Sequence, residues 1–97
     1  MIMLHPDYIR RLQAAIEATH SCNAVHVESV VLDPFFRARY SCSGMVEVFD
    51  LLHHPTAKRC YIWSHEENGR LHSACVLELP PVDSPESAVV AAMAQKV

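Results

Sequence analysis

Histidine is the residue whose frequency stands out in this sequence. The chain has seven histidines in 97 residues, and imidazole serves as a metal ligand and as a general acid or base near neutral pH. His65 and His72 flank the dipeptide Asn68-Gly69, which favours a two-residue turn between antiparallel strands. Such a turn places the two histidines directly opposite one another, with Cβ atoms about 5 Å apart. The pair is therefore a candidate site for a metal such as zinc.

This metal hypothesis needs further ligands and has a simpler alternative. The candidates for a third ligand are His53, His54, Glu47 and Cys42. The sequence lacks the short Cys/His spacings and the helical His-x-x-x-His pair that are the stronger zinc signals. The alternative is a solvated histidine pair close to a hairpin tip. We therefore predict a protein without a cofactor, with zinc as the alternative.

The four cysteines lie far apart in the sequence, at Cys22, Cys42, Cys60 and Cys75. No secretory signal is expected, so reduced thiols are predicted, and a free cysteine in an apolar strand acts as a small hydrophobic residue. Cys22 lies four residues before His26, a spacing that suggests a thiolate–imidazole couple. Because Cys22 precedes the strand that holds His26, a structural role is the expectation.

A row of aromatic residues is the other candidate site. Tyr61 and Trp63 share one face of a predicted strand, Val76 lies opposite Tyr61, and Phe49 is expected beside them. An exposed aromatic row stacks planar ligands, and a buried one lies in a core or at the centre of a protein–protein interface. We predict that Phe49, Tyr61, Trp63 and Val76 form an interaction face.

The acidic residues of the same region give little support for an enzyme. A buried carboxylate is costly unless it is paired, and Arg59 is the expected partner of Glu78 across two strands. No Ser-His-Asp grouping can be assembled from spacing. Gly44 and Gly69 are the only glycines, which excludes the usual glycine-rich phosphate loops. We therefore do not predict catalysis.

The candidate residues lie mostly in the stretch 45–79, which predicts three consecutive strands. Its apolar runs are rich in β-branched and aromatic residues and are separated by His53-His54-Pro55, by Asn68-Gly69 and by Pro80-Pro81. Such breaks are typical of strands joined in an antiparallel meander. A further strand is predicted over 24–32. The segment 36–40 is either a short edge strand or part of a loop that folds over the sheet.

Two helices are predicted around this sheet. Pro6–Thr19 has apolar residues at helical spacing, and Asn23 is expected to take the left-handed position after it. Ser84 and Pro85 are suited to the start of a second helix. The result is an α+β domain with an N-terminal helix, an antiparallel sheet of four or five strands, and a C-terminal helix packed on the sheet. Both sheet faces are apolar, so a face without a helix would need a partner.

Composition limits the function classes further. The 97 residues predict a single domain, and with 51% hydrophobic and 20% charged residues the chain is not disordered. The net charge of −3 disfavours nucleic-acid binding. The C-terminal apolar run, residues 88–94, is shorter than a membrane span. We therefore expect a cytoplasmic protein that binds neither membrane nor nucleic acid.

The order of the elements resembles that of a double-stranded RNA-binding domain. Binding in that family depends on a basic start to the last helix. Here that position holds Asp83, Ser84, Pro85 and Glu86. The resemblance is one of topology, and it does not imply RNA binding.

These expectations combine into one functional hypothesis. A domain this small and apolar is hard to close as a monomer, so we predict a homodimer that acts as a protein-binding or interaction module through the aromatic sheet face. The alternative function is metal binding by His65 and His72.

Overall fold

The computed structural model describes residues 6–34, 45–67 and 69–94, with the backbone only for residues 6, 65–67, 71 and 72. These residues form a four-stranded antiparallel sheet in the order β1-β2-β3-β4, with a helix before it and a helix after it. The α+β fold predicted from the sequence is confirmed. The segment 36–40, for which a fifth strand was an alternative, lies outside the described residues. The elements are α1 (Pro6–His20), β1 (Asn23–Val31), β2 (Met45–Leu52), β3 (Arg59–Glu67), β4 (Arg70–Leu77) and α2 (Pro85–Ala94).

The tight turn between β3 and β4 sets the register of the meander as predicted. Glu67 pairs with Arg70 next to the turn, and farther along the ladder Tyr61 pairs with Val76. Gly69 has φ 76°, a left-handed conformation that glycine adopts without the steric cost of a Cβ atom. The sequence predicted this register because the turn is local.

The end of α1 differs in detail from the prediction. The helix continues to His20, so Ser21 takes the left-handed position, with φ 52°. Asn23, expected there, is instead the first residue of β1. The helix is therefore one residue longer than predicted, and the left-handed residue that follows it is Ser21, two positions before Asn23.

The two helices cover opposite faces of the sheet. Alternate residues of β2 and β3 belong to two separate apolar clusters: Phe49 and Cys60 pack with α1, whereas Val48 and Tyr61 pack with α2. Because successive strand residues point to opposite faces, these clusters are the two sides of one sheet. The cluster on the α1 side contains Leu12, Ile16, Cys22, Ala24, Phe49, Leu51, Ala57, Cys60 and Ile62. The cluster on the α2 side contains Leu32, Val46, Val48, Tyr61, Trp63, Val82, Ala88 and Val89.

An irregularity in β1 adjusts which of its side chains reach the α1 side. The pairing with β2 shifts between His26 and Glu28, so Val27 is an extra residue in the ladder. His26 pairs with Phe49, and beyond the shift Ser29 pairs with Glu47. The side chains of His26 and Ser29 therefore both lie on the α1 side of the sheet, beside Phe49 and Glu47 of β2.

Neither helix of the described part of the chain is long and apolar enough to cross a membrane.

Candidate functional site

The residues of the predicted interaction face are part of the core of the single chain. Tyr61 and Trp63 are only 2% and 0% exposed, and Val76 is half-buried against the same cluster on the α2 side. Phe49 lies on the other face, under α1, with 0% exposure. The structure thus brings Tyr61, Trp63 and Val76 together and separates Phe49 from them. Sequence spacing identified the shared face of the three but did not show that α2 covers it.

The predicted histidine pair has the backbone placement that the turn implies. His65 and His72 are direct partners in the β3–β4 ladder. Their side chains lie outside the described residues. Among the residues that are described, no three His, Cys, Asp or Glu side chains are grouped to hold a metal ion.

The other two histidines considered as ligands have local roles in the β2–β3 connection. The ring Nδ1 of His54 accepts hydrogen bonds from the backbone N–H groups of Thr56 and Ala57, at 3.1 and 2.9 Å. His53 has φ 71°, and its Nδ1 lies 3.4 Å from Oδ1 of Asn23. The His54 side chain therefore helps to shape the turn, whereas the His53 side chain lies near the start of β1.

The first of two polar clusters in the structure surrounds a buried carboxylate. Glu47, in β2, is 1% exposed and lies on the α1 side of the sheet. Its Oε1 accepts a hydrogen bond of 2.9 Å from Nε2 of His26 and one of 2.5 Å from Oγ of Ser29. The His26 ring also packs edge-on against Phe49, with centroids 5.2 Å apart. A carboxylate in this position needs such donors, because removing it from water is costly.

The sequence drew attention to the acid of this cluster but not to its hydrogen-bond partners. Glu47 interrupts an apolar run of the sequence, where a buried carboxylate would need a partner. Its partners depend on the β1–β2 register and on the extra residue at Val27. The short spacing from Cys22 to His26 suggested a couple, but a structural role was the expectation for Cys22. In the structure His26 bonds Glu47, and Cys22 is buried in the core.

The ion pair expected between Arg59 and Glu78 is not formed. Arg59 donates from Nε to Oδ1 of Asp50 at 2.9 Å, because Asp50 is its direct partner on β2. Glu78 instead accepts a hydrogen bond from the hydroxyl of Tyr61. Burial and this nearby carboxylate raise the pKa of Tyr61. The backbone register was predicted correctly, since the Glu78 N–H donates to the Arg59 carbonyl at 2.8 Å.

A second polar cluster lies where the end of α1 meets the edge strand β4. Cys75, in β4, is exposed, whereas Cys60 and Cys22 are buried. Cys75 is the diagonal neighbour of Cys60 in the β3–β4 ladder, and its Sγ lies 4.0 Å from Nε2 of His20. The His20 ring packs edge-on against the ring of His54, with centroids 5.8 Å apart.

The three thiols of this region differ in acidity. The hydrogen bond from Cys60, together with that from His20, lowers the pKa of Cys75 to about 7 against the opposing effect of burial. The same thiol–thiol bond and burial raise the pKa of Cys60. Burial raises the pKa of Cys22 as well. Cys75 is therefore the thiol that reaches the nucleophilic thiolate form near neutral pH.

Beside Cys75 is a small cavity of about 130 Å³ that opens to solvent. Its lining is largely apolar and contains a single ionisable side chain besides the thiol, that of His20. The residues that line it are Ala15, Ile16, Thr19, His20, Ile62, Ser73 and Cys75. The apolar strand around Cys75 indicated a core position for this residue. No pattern in the sequence indicated the site, because His20 and Cys75 are 55 positions apart.

Comparison of the chain with protein-family models, with curated proteins and with solved structures finds no match.

Proposed function

We propose that the protein is a small interaction module that self-associates. The observation that supports this is a group of exposed apolar side chains along β1, which is an edge strand among the described strands. Val25, Val27 and Val31 are 50%, 42% and 68% exposed, and Leu52 of the neighbouring strand is 47% exposed. We call these four residues the β1 edge patch. Exposed apolar groups of this kind mark interaction sites.

The self-association predicted from the sequence is kept, but we move its location. Tyr61 and Trp63 lie beneath α2 and Phe49 lies beneath α1, so a partner reaches them only if a helix moves. The β1 edge patch needs no such movement. A second copy of the chain offers an identical apolar strip, as the two-fold symmetry of most homodimers requires.

The extra residue at Val27 indicates how two copies meet. An irregularity of this type disrupts continuous backbone pairing along an edge strand. The proposed contact is therefore side chain against side chain, with Val25 and Leu52 on the α2 side of the sheet. These two lie on one face, because Asn23 pairs with Leu52 and Val25 is two residues farther along.

The experiment is light scattering of the native chain over a range of concentrations. We expect a dimer, and we expect the double variant Val25→Lys/Leu52→Lys, which changes the two residues on the α2 side, to be a folded monomer. The control is Val90→Lys on α2, which removes a valine of similar exposure, 41%, and should leave the dimer intact. A native chain that is monomeric throughout, or a double variant that dimerises as well as the control, would overturn the proposal.

Metal binding is the second candidate, and the ladder position of His65 opposite His72 favours it. The test is the elemental metal content of the untagged protein, with its melting temperature measured with and without chelator. Bound metal stabilises a fold directly, so His72→Ala should lose both the metal and the chelator effect. His20→Ala is the control, because His20, at the end of α1, is not among the candidate ligands. Metal-free native protein, or unchanged metal content in His72→Ala, would exclude this candidate.

A further inference from the structure

Cys75 differs from the other described cysteines in being open to small molecules. It lies on the edge strand β4 and lines the cavity of about 130 Å³, while Cys22 and Cys60 are buried. Thiol chemistry requires both access and the thiolate form. The cavity beside Cys75 gives access to its sulfur, and the groups around the sulfur favour the thiolate form.

Two donors converge on its sulfur. Cys60 lies in the core as the diagonal neighbour of Cys75 in the β3–β4 ladder, where its thiol lowers the pKa of Cys75. His20, the last residue of α1, lies on the cavity side with Nε2 at 4.0 Å. A buried thiol keeps its proton and so remains a donor, and an imidazole N–H adds a second hydrogen bond to the negative sulfur.

We propose that Cys75 is a nucleophilic thiol that forms mixed disulfides with small, uncharged disulfide molecules, and that His20 and Cys60 are positioning residues that stabilise its thiolate. In this exchange the Cys75 thiolate attacks one sulfur of the disulfide. A bond forms between Cys75 Sγ and that sulfur, and the original sulfur–sulfur bond breaks. The second sulfur leaves as a thiolate and takes a proton from solvent. One thiol and one disulfide thus give one mixed disulfide and one thiol.

The strand register explains why Cys60 does not complete an internal disulfide. Cys60 pairs with Leu77, and Cys75 pairs with Ile62, so the two cysteines are diagonal neighbours. Cα atoms in that relation are about 7–8 Å apart, whereas disulfides span at most about 7 Å without backbone movement. The mixed disulfide therefore persists, with Cys60 as a donor rather than as a second reacting thiol.

The cavity indicates the class of molecule that reacts. Its volume accommodates a few non-hydrogen atoms. Its walls are the aliphatic side chains of Ala15, Ile16 and Ile62, with the hydroxyls of Thr19 and Ser73. A short substituent that ends in a hydroxyl fits these walls better than a large or strongly charged one. Bis(2-hydroxyethyl) disulfide is the probe that meets this description.

The first measurement is the mass of the intact protein after exposure to this probe at pH 7, with peptide mapping of the adduct. We expect one adduct, on Cys75, that is absent from Cys75→Ser and reversed by a reducing thiol. An adduct on another cysteine, or an internal bond between Cys60 and Cys75 in its place, would overturn the proposal.

The second measurement is the pH dependence of alkylation by iodoacetamide, which reports the two donors separately from folding. The midpoint for Cys75 is expected at about pH 7. His20→Ala and Cys60→Ala should move it towards the ordinary value of about 8.5. Cys60→Ser retains a hydroxyl donor and should leave the midpoint nearer that of the native chain, and Cys22→Ala is the control for removal of a buried thiol.

The rate at a single pH changes less than the midpoint. A rise in pKa from about 7 to about 8.5 reduces the thiolate fraction at pH 7 by roughly 16-fold. Nucleophilicity rises by about 5-fold over the same interval, so the net loss is only about 3-fold. A native midpoint at or above about 8.5, or unchanged midpoints in both His20→Ala and Cys60→Ala, would overturn the assignment of the donors.

Discussion

The buried carboxylate of Glu47 allows the stability of this sheet to be tested quantitatively. It is 1% exposed and accepts hydrogen bonds from Ser29 and His26. Ser29→Ala is the cleaner of the two truncations, because His26 also packs against Phe49. We predict that the effect of Ser29→Ala depends strongly on which residue occupies position 47.

The magnitude follows from what the truncation leaves behind. A hydrogen bond to a charged group contributes about 1.5–3 kcal/mol, and a buried acceptor that loses its donor bears most of its desolvation cost. With Glu47 present, Ser29→Ala should therefore lower the free energy of unfolding by about 1.5–3 kcal/mol. In the Glu47→Met background there is no acceptor, and Ser29→Ala should change stability by less than about 0.5 kcal/mol.

Glu47→Gln provides an intermediate case. The amide oxygen still accepts a hydrogen bond, but without the charge the bond is about half as strong. The coupling between positions 29 and 47 should therefore be strongest with the native glutamate, weaker with glutamine and absent with methionine. Size alone does not produce this order, because the three side chains are similar in volume.

The assay is urea unfolding of each single and double variant, combined as double-mutant cycles. Equal m-values across the set show that the compactness of the unfolded chain is unchanged. A coupling below about 0.5 kcal/mol in the cycle that combines Ser29→Ala with Glu47→Met would refute the reasoning. Equal coupling with glutamate and glutamine would show that the charge has no part in it.

Four further predictions concern single substitutions. Gly69→Ala should destabilise the fold by about 1–2 kcal/mol in urea unfolding, because φ is 76° and no neighbouring atom lies within 4 Å of an added Cβ, so the cost is purely conformational. Asp50→Ala should cost less than about 1 kcal/mol in the same assay, since both members of its pair with Arg59 are partly exposed, at 46% and 35%. The raised pKa of Tyr61 contributes stability that is fully present below the unfolded pKa of about 10 and is lost as pH rises above it. Melting temperatures between pH 9 and 11 should therefore fall more steeply for the native chain than for Tyr61→Phe, and parallel curves would contradict this. Trp63→Asp should give a chain that is unfolded by circular dichroism at every concentration, because it replaces a fully buried indole with an unpaired charge; a folded monomer would show that α2 does not hold this face closed.

The parts of the fold that the sequence predicted are those set by local signals. The turn at Gly69 determines the β3–β4 register, and the caps at Ser84 and Pro85 mark the start of α2. Each signal acts within a few residues of the feature that it predicts. The choice of face for each helix is different, because it depends on contacts between segments far apart in the chain.

The candidate sites show the same limit more sharply. His20 with Cys75, and Ser29 with Glu47, are pairs whose members lie in different elements. One residue added to β1, at Val27, is enough to decide which of its side chains lie beside Glu47. Cys22 has the buried position that its expected structural role requires, and His26, four residues later, is hydrogen-bonded to Glu47 instead.

The placement of the helices also decides where a partner can bind. A sheet with both helices on one face would leave the row of Tyr61 and Trp63 to a second chain, and the sequence allowed that arrangement. With α1 and α2 on opposite faces, the aromatic row becomes the attachment surface of α2, and three of the six large apolar side chains that remain exposed among the described residues belong to β1. Within the described residues, the apolar side chains thus form two cores, one on each face of the sheet, and an exposed group along β1. Self-association through that exposed group would leave both helices in place.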